Sequence, residues 1–302
     1  MLDVHRLRLL RELAYRGTIA AVAQALAYTP SAVSQHLSVL EREAGVPLLE
    51  RTGRRVRLTA AGRVLVEHAE RVLAGLEGAE AALAAARHGL TGTLRLGAFP
   101  SAARALLPAA LVALGRDHPG LELMVEEHDP AHAVEALRAG GLDAALTHDY
   151  DLVPVPEHPA VESTVVLTEA MLLASSRAPA DPADPVGSFR TGDWILGKEH
   201  NLCGLAARRI CEAAGFQPRI RHQTDDFPTA LALVAAGQGQ ALLPGLGATH
   251  LPAGVVLTPL AVTARVSVTH RRGAGTHPAI AAFQAAVRQA VETYLATTRT
   301  GR

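Results

Sequence analysis

Residues 18–58 read TIAAVAQALAYTPSAVSQHLSVLEREAGVPLLERTGRRVRL, and their spacing decides how the N-terminal part of the chain folds. Ile19, Val22, Ala23 and Leu26 recur on one face of a 3.6-residue period, and Val33, Leu37, Leu40 and Ala44 do so again after a break at Ala27, Tyr28 and Thr29. Thr29 is placed to cap the second helix through its hydroxyl. Pro30 takes the first helical position, where its missing N–H costs nothing. The stretch predicts two helices joined by a tight turn, the second starting near Pro30.

At about 100° per residue, Ser31, Ser34, Gln35, Ser38 and Arg42 fall together on the side of that second helix opposite its apolar stripe. The strip holds no acidic residue. Small hydroxyls let a sugar-phosphate backbone come close, a glutamine amide can bond an adenine edge with two hydrogen bonds, and an arginine pairs with phosphate or guanine. On an isolated helix such a strip also reads as an ordinary solvated face. Its neighbours decide between the two readings. Val46-Pro47-Leu48-Leu49 leads into a short β-hairpin carrying Arg51, Arg54, Arg55 and Arg57 around a turn at Gly53. A basic wing beside a recognition helix suits the backbone flanking a major groove, where each neutralised phosphate adds salt-dependent affinity. The candidate contacts to double-stranded DNA are therefore Thr29, Pro30, Ser31, Ser34, Gln35, Ser38, Arg42, Arg51, Arg54, Arg55 and Arg57.

The order and spacing of Gly17-Thr18-Ile19, Ala20 to Leu26, Ser31-Ala32-Val33-Ser34-Gln35-His36-Leu37, Leu40-Glu41, Gly45, Leu48, Arg51 and Leu58-Thr59-Ala60-Ala61-Gly62 resemble the N-terminus of a LysR-type transcriptional regulator. Leu49 stands where that family usually has Phe, and Pro30-Ser31 where a Gln-Pro pair is common; both departures bear on packing or fine specificity. The resemblance implies an N-terminal all-α winged helix-turn-helix with a long linker helix. A C-terminal α/β two-lobed effector domain of periplasmic-binding-protein-like architecture would follow. It also implies linker helices that dimerise, frequent pairing of dimers into homotetramers, a small-molecule effector, and RNA polymerase as a further candidate partner.

Working outward, residues 60–88 read as one proline-free helix. Leu65, Ala69, Val72, Leu76, Ala79, Leu83, Ala86 and Leu90 alternate at spacings of four and three, the pattern of a heptad seam that seeks a partner helix. From Thr93 onward, strands and helices alternate: strand 93–98, helix 103–114, strand 121–127, helix 131–139 and strand 142–146. A second unit of the same kind starts near Val165, and the chain returns to the first unit through strand 265–269 and a helix from Pro278. Such alternation predicts largely parallel α/β lobes. The expected division is 1–58 for DNA binding, 59–90 for the linker and 91–302 for effector binding. One lobe would comprise about 91–162 with 265–302, the other about 163–264.

Two lobes joined by two crossings enclose a cleft, lined by the carboxyl ends of strands and by helix N-termini, whose free N–H groups favour anionic ligand groups. The candidates there are Phe99, Pro100, Ser101, Asp129, Thr147, His148, Asn201, Cys203, Gly204, Asp226, Phe227 and Pro244. In the family a Ser or Thr after the first strand commonly contacts the effector, which points to Ser101. The same residue also reads as a plain N-cap for a helix starting near Ala103. Asp129, His148 and Asp226 read either as contacts to a cationic or amino-acid ligand or as satisfied loop groups.

Some family members sense peroxide through two cysteines in this region, and Cys211 resembles the second of them. Cys203 is shifted, however, and lacks the preceding histidine. Eight residues apart on one helix, the pair would lie about 12 Å apart, beyond disulfide reach. They read as packing cysteines, with thiol redox sensing as the alternative function. The 14 histidines form no metal signature, and neither metal nor cofactor is expected.

The formal net charge of zero hides an asymmetry: residues 1–92 hold 12 arginines against 9 carboxylates. There is no run of about 18 apolar residues and no signal-peptide pattern, so no membrane partner and a cytoplasmic location are expected. No nucleophile elbow, zinc signature or phosphate loop supports an enzyme, and a solute-binding protein would leave the winged helix unexplained.

Overall fold

The computed structural model describes the chain except residues 53, 54, 87, 88, 154, 156, 157, 301 and 302, and describes side chains except at those positions and at 51, 52, 55, 299 and 300. The hairpin turn at Gly53 and the wing residue Arg54 thus lie outside the described residues.

Three helices open the chain: α1 (Val4–Arg16), α2 (Ile19–Ala25) and α3 (Pro30–Ala44). Each start has a side-chain cap satisfying a free N–H: Asp3 accepts from Arg6, Thr18 from Ala21 and Thr29 from Ala32. Helices α1 and α3 end at Gly17 and Gly45, whose φ of 72° and 69° is the left-handed cap that glycine adopts without penalty. Leu9, Leu10, Val22, Val33, Leu37, Leu40 and Leu48 bury together in one core. Each such side chain contributes about 1.5–3 kcal/mol on leaving water. Strands β1 (Leu49–Thr52) and β2 (Arg55–Leu58) form an antiparallel hairpin. Its approach is held by the Glu41 carboxylate, which accepts from the N–H groups of both Leu48 and Leu49 at 2.9 Å.

Helix α4 (Ala60–Ala85), capped by Thr59, is shorter than the sequence pattern predicts. Ala86 is its C-cap and Leu90 lies beyond it, so neither extends the seam. Ala69 also leaves the seam, because it is buried in the N-terminal core. Leu65 is half-buried against the same core, and farther along the predicted face Val72, Leu76 and Leu83 are exposed at 44%, 42% and 68%. Leu73 and Ala81 of the same helix are buried.

The remainder is α/β. It runs β3 (Gly92–Ala98), α5 (Pro100–Ala105), α6 (Leu107–Asp117), β4 (Leu121–Glu127), α7 (Pro130–Ala139), β5 (Ala144–Tyr150), β6 (Val161–Ser175), β7 (Asp193–Leu196), α8 (Leu202–Ala213), β8 (Arg219–Gln223), α9 (Phe227–Ala235), β9 (Gln240–Pro244), β10 (Val256–Arg271) and α10 (Pro278–Thr300). The one helix predicted from Ala103 is two. It starts at Pro100 and breaks at Leu106, because Pro108 has no N–H to give the carbonyl of residue 104.

The strand order is β4-β3-β5-β10-β6-β9-β7-β8. Strands β3, β4 and β5 run parallel in one lobe, and β7, β8 and β9 in the other. The long antiparallel strands β6 and β10 cross between them. Arg271 to Thr263 pair with Val161 to Ala170, Pro259 to Val256 pair with Leu172 to Ser175, and the register shifts between Pro259 and Thr263.

The N-terminal unit is tied to the first α/β lobe by a buried charge cluster. Glu12 of α1, fully buried, accepts from Arg11 at 3.1 Å, Arg16 at 2.9 Å and Arg138 of α7 at 2.8 Å. The Arg138 guanidinium lies 4.1 Å over the Tyr15 ring. Burial alone would raise the Glu12 carboxyl, but Arg138, Arg11 and Arg16 together outweigh it and hold the group below its usual range. A second tie joins Glu77 of α4 to Arg271 of β10 at 2.6 Å.

Candidate DNA interface and ligand cleft

On α3, Thr29, Pro30, Ser31, Gln35, Ser38 and Arg42 are exposed and Ser34 is half-buried, so the predicted strip faces outward as one surface. Thr29 is occupied as the N-cap and lies 3.0 Å from the Ser31 hydroxyl, which fixes the first turn. On the wing, Arg57 is exposed and sits opposite Glu50 in the ladder. Glu50 is a carboxylate on the wing that the arginine pattern alone did not weigh. Arg51 and Arg55 have their backbone in β1 and β2, with side chains outside the described residues.

The cleft has a volume of about 1540 Å³. Phe99, Pro100, Ser101, Asp129, Thr147, His148, Asn201, Cys203, Asp226, Phe227 and Pro244 all line it. Gly204 does not. It is buried where α8 presses on the end of β7, and a β-carbon there would lie 2.3 Å from the Lys198 carbonyl oxygen. Ser101 is also not a cap. Phe99 holds the N-cap position of α5, and Ser101, 6% exposed, sits inside the first turn facing the cavity.

Three of the helix N-termini expected to face the ligand carry a side-chain cap. Asp129 caps α7 by accepting from His132, Asn201 caps α8 by accepting from Cys203, and Asp226 caps α9 by accepting from Thr229. Each cap satisfies one of the free N–H groups, and at α7 and α9 the capping aspartate also sets a negative charge at the helix start, which disfavours an anion there. The Thr229 hydroxyl, 2.6 Å away, chiefly holds the Asp226 carboxyl below its ordinary range. Arg104 of α5 faces the same carboxylate across the cleft at 3.9 Å.

Aromatic side chains pack together at the floor of the cleft. The His148 ring meets Phe99 edge-on at 4.5 Å and Tyr150 at 5.1 Å, and its Nδ1 has no partner. Burial pushes the imidazole down to about 4, so it is neutral at physiological pH. The Tyr150 hydroxyl bonds the Cys203 sulfur, and both belong to the core of the second lobe. Burial raises the Cys203 and Cys211 thiols alike to about 12, and α8 is continuous from one to the other.

Glu169 and Arg104, absent from the sequence candidates, also line the cleft. Glu169 had a readable signal, a lone carboxyl within the apolar run of β6. Burial raises it to about 8, and its one hydrogen bond comes from the Leu246 N–H at 2.8 Å.

Residues 4–63 match the family of bacterial regulatory helix-turn-helix proteins, lysR family, and residues 87–292 match the LysR substrate binding domain. A probable hydrogen peroxide-inducible genes activator of Mycobacterium leprae is 32% identical over 235 residues, covering 76% of this chain and 73% of the relative. A mutant of OxyR from Corynebacterium glutamicum superposes with a TM-score of 0.59 at 23% identity, covering 100% of this chain and 95% of that one. Full-length CbnR, solved in complex with its target DNA, gives a TM-score of 0.51 at 25% identity, covering 96% and 99%. With a helix-turn-helix matched at one end and an effector domain at the other, the chain belongs to the LysR family of transcriptional regulators.

Proposed function

We propose that this regulator binds its operator as a homodimer, and as a pair of dimers on longer sites. Helix α3 would lie in the major groove and the wing along the backbone, while occupancy of the cleft by a small molecule sets the relative placement of the DNA-binding units. The functional division follows the expected one, 1–58, 59–90 and 91–302. The carboxylate-free outer face of α3 carries this reading, and the CbnR complex supports it as a protein of the same fold on DNA. Two-fold pairing through α4 implies a pseudo-palindromic site, with half-sites about one helical turn or a multiple of it apart. A ligand can shift such an assembly only through different affinities for its two arrangements.

Gln35→Ala is expected to weaken binding to the cognate operator by about 1–3 kcal/mol while leaving binding to random DNA nearly unchanged. Arg57→Ala should weaken both and lower the salt slope by about one. Mobility shifts at two salt concentrations on the upstream DNA of its own gene, with random competitor, measure both. Equal losses on the two DNAs for Gln35→Ala would remove the base-contact role.

Ser101→Ala should leave effector-free DNA affinity intact and blunt the response to ligand. Loss of folding or of DNA binding would argue against that contact.

The name of the Mycobacterium leprae relative raises a thiol-sensing reading. It is disfavoured by thiols held protonated and buried, since the thiolate is the reactive species. Peroxide is expected to leave operator binding unchanged. A peroxide-linked shift that disappears in Cys203→Ser would replace the ligand reading with the thiol one.

A further inference from the structure

We infer that the effector of this cleft is a basic small molecule, bound with a cationic nitrogen against the Glu169 carboxyl where β6 and β10 cross. The inference rests on the cleft being the effector site, as proposed above.

The first support is the charge of the lining. Nine carboxyl side chains line the cavity against four arginines and no lysine. Among the described residues, each of those arginines already has a carboxylate partner. Arg104 faces Asp226 at 3.9 Å, Arg138 holds Glu12 at 2.8 Å, Arg265 lies between Asp149 and Asp151, and Arg272 meets Glu162 at 3.2 Å. An anionic effector would have to break one of these pairs and enter a cavity with excess negative charge. The N-termini of α7 and α9 begin with aspartate caps and that of α8 with an asparagine cap, so each has one N–H already taken, and α5 is only six residues long.

The second support is Glu169 itself. The other carboxyls of the lining cap helices, pair with basic side chains or sit exposed at the rim. Glu169 is half-buried with a single backbone hydrogen bond. It has a built position, because a β-carbon on Gly245 would lie 2.5 Å from its Oε2, so only glycine there lets the carboxyl approach the backbone. In the ladder Glu169 pairs with Ala264, which on its other side pairs with Tyr150, so carboxyl and phenol flank one small residue.

A buried carboxyl without a cation costs desolvation free energy that an ammonium or similar group would offset. Phe99, the neutral His148 ring with its unpartnered Nδ1, and Ser101 also line the cleft, so that apolar and neutral polar groups accompany the half-buried Glu169 carboxyl, which lacks a cationic partner. Such a site takes a primary amine, or another protonated nitrogen base, on a compact apolar or hydroxylated frame.

The test is thermal melting of the full chain with matched probes of opposite charge, benzylamine against benzoate and putrescine against succinate. The amines are expected to raise Tm in a concentration-dependent way and the carboxylates to leave it unchanged. Glu169→Gln should bind the amines at least about tenfold more weakly, while melting no lower than the parent without ligand.

A second readout needs no variant. Because the empty carboxyl is largely protonated at pH 7, amine binding should release a proton, and affinity should rise with pH up to about 8. Calorimetry in buffers of different ionisation enthalpy detects this release. The groups facing Glu169 are Tyr150 from β5, with Cys203 of α8 behind it, and the Tyr294 hydroxyl of α10. The Tyr150 and Cys203 groups are raised by burial and stay protonated in that range.

Stabilisation by the carboxylates, amine binding untouched by Glu169→Gln together with no proton release, or no stabilisation by either amine overturns the assignment. None of these outcomes bears on the operator complex seen by mobility shift. Failure of the ligand class and failure of the DNA-binding reading therefore remain distinguishable.

Discussion

Glu12→Ala is expected to destabilise the folded chain by about 3–5 kcal/mol, the cost of leaving buried cations without their anion. Glu12 is fully buried, and two of the three arginines it serves, Arg11 and Arg138, are each 5% exposed. Without the carboxylate, like charges on α1 and α7 face each other, and the N-terminal unit should loosen from the first lobe. Denaturant melts and limited proteolysis of the full chain read the two effects. Replacing Glu12 and Arg138 together by leucine should cost less than Glu12→Ala alone, because one buried cation is then removed with its anion while Arg11 and Arg16 keep Glu70 at 3.8 Å and Glu135 at 3.7 Å. The pH dependence has a definite sign. The carboxyl is depressed in the folded state, so its stabilisation is complete above the ordinary glutamate value of 4.5 and is lost as pH falls through the lower folded value. A loss of only about 0–1 kcal/mol, as for a surface pair, would show that the cluster is effectively solvated.

Leu76→Asp combined with Leu83→Asp is expected to yield a folded monomer whose operator affinity is lower by about 10²–10⁴-fold. Two half-site contacts would no longer be linked into one binding event. The fold should survive, because Leu76 and Leu83 are exposed while the buried Leu73 and Ala81 of α4 do the intrachain packing. Sedimentation and mobility shift measure the two outcomes. A variant that stays dimeric would place the interface elsewhere.

Signals of short range were legible in the residues. Thr29 caps the helix its position suggests, and Pro30 takes that helix's first position. The limits appear at Ser101 and Gly204. A serine near the start of a helix looks like a cap unless the true start is known, and Pro100 moved that start back by three residues. Gly204 looked like an open approach to a ligand, but the end of β7 fills that space.

By itself the sequence determined the winged helix-turn-helix, the alternating α/β lobes and the family, because caps, turns and apolar periods act over a few residues and are written in order. Only the tertiary structure decided which charges meet. Glu12 and Arg138 are 126 positions apart and Arg104 and Asp226, across the cleft, 122, and neither pair has any local signature. The placement of Glu169 beneath Gly245 was decided there too, since burial and electrostatic partners are properties of packing. The chemistry the cleft favours therefore follows from how the chain closes on itself.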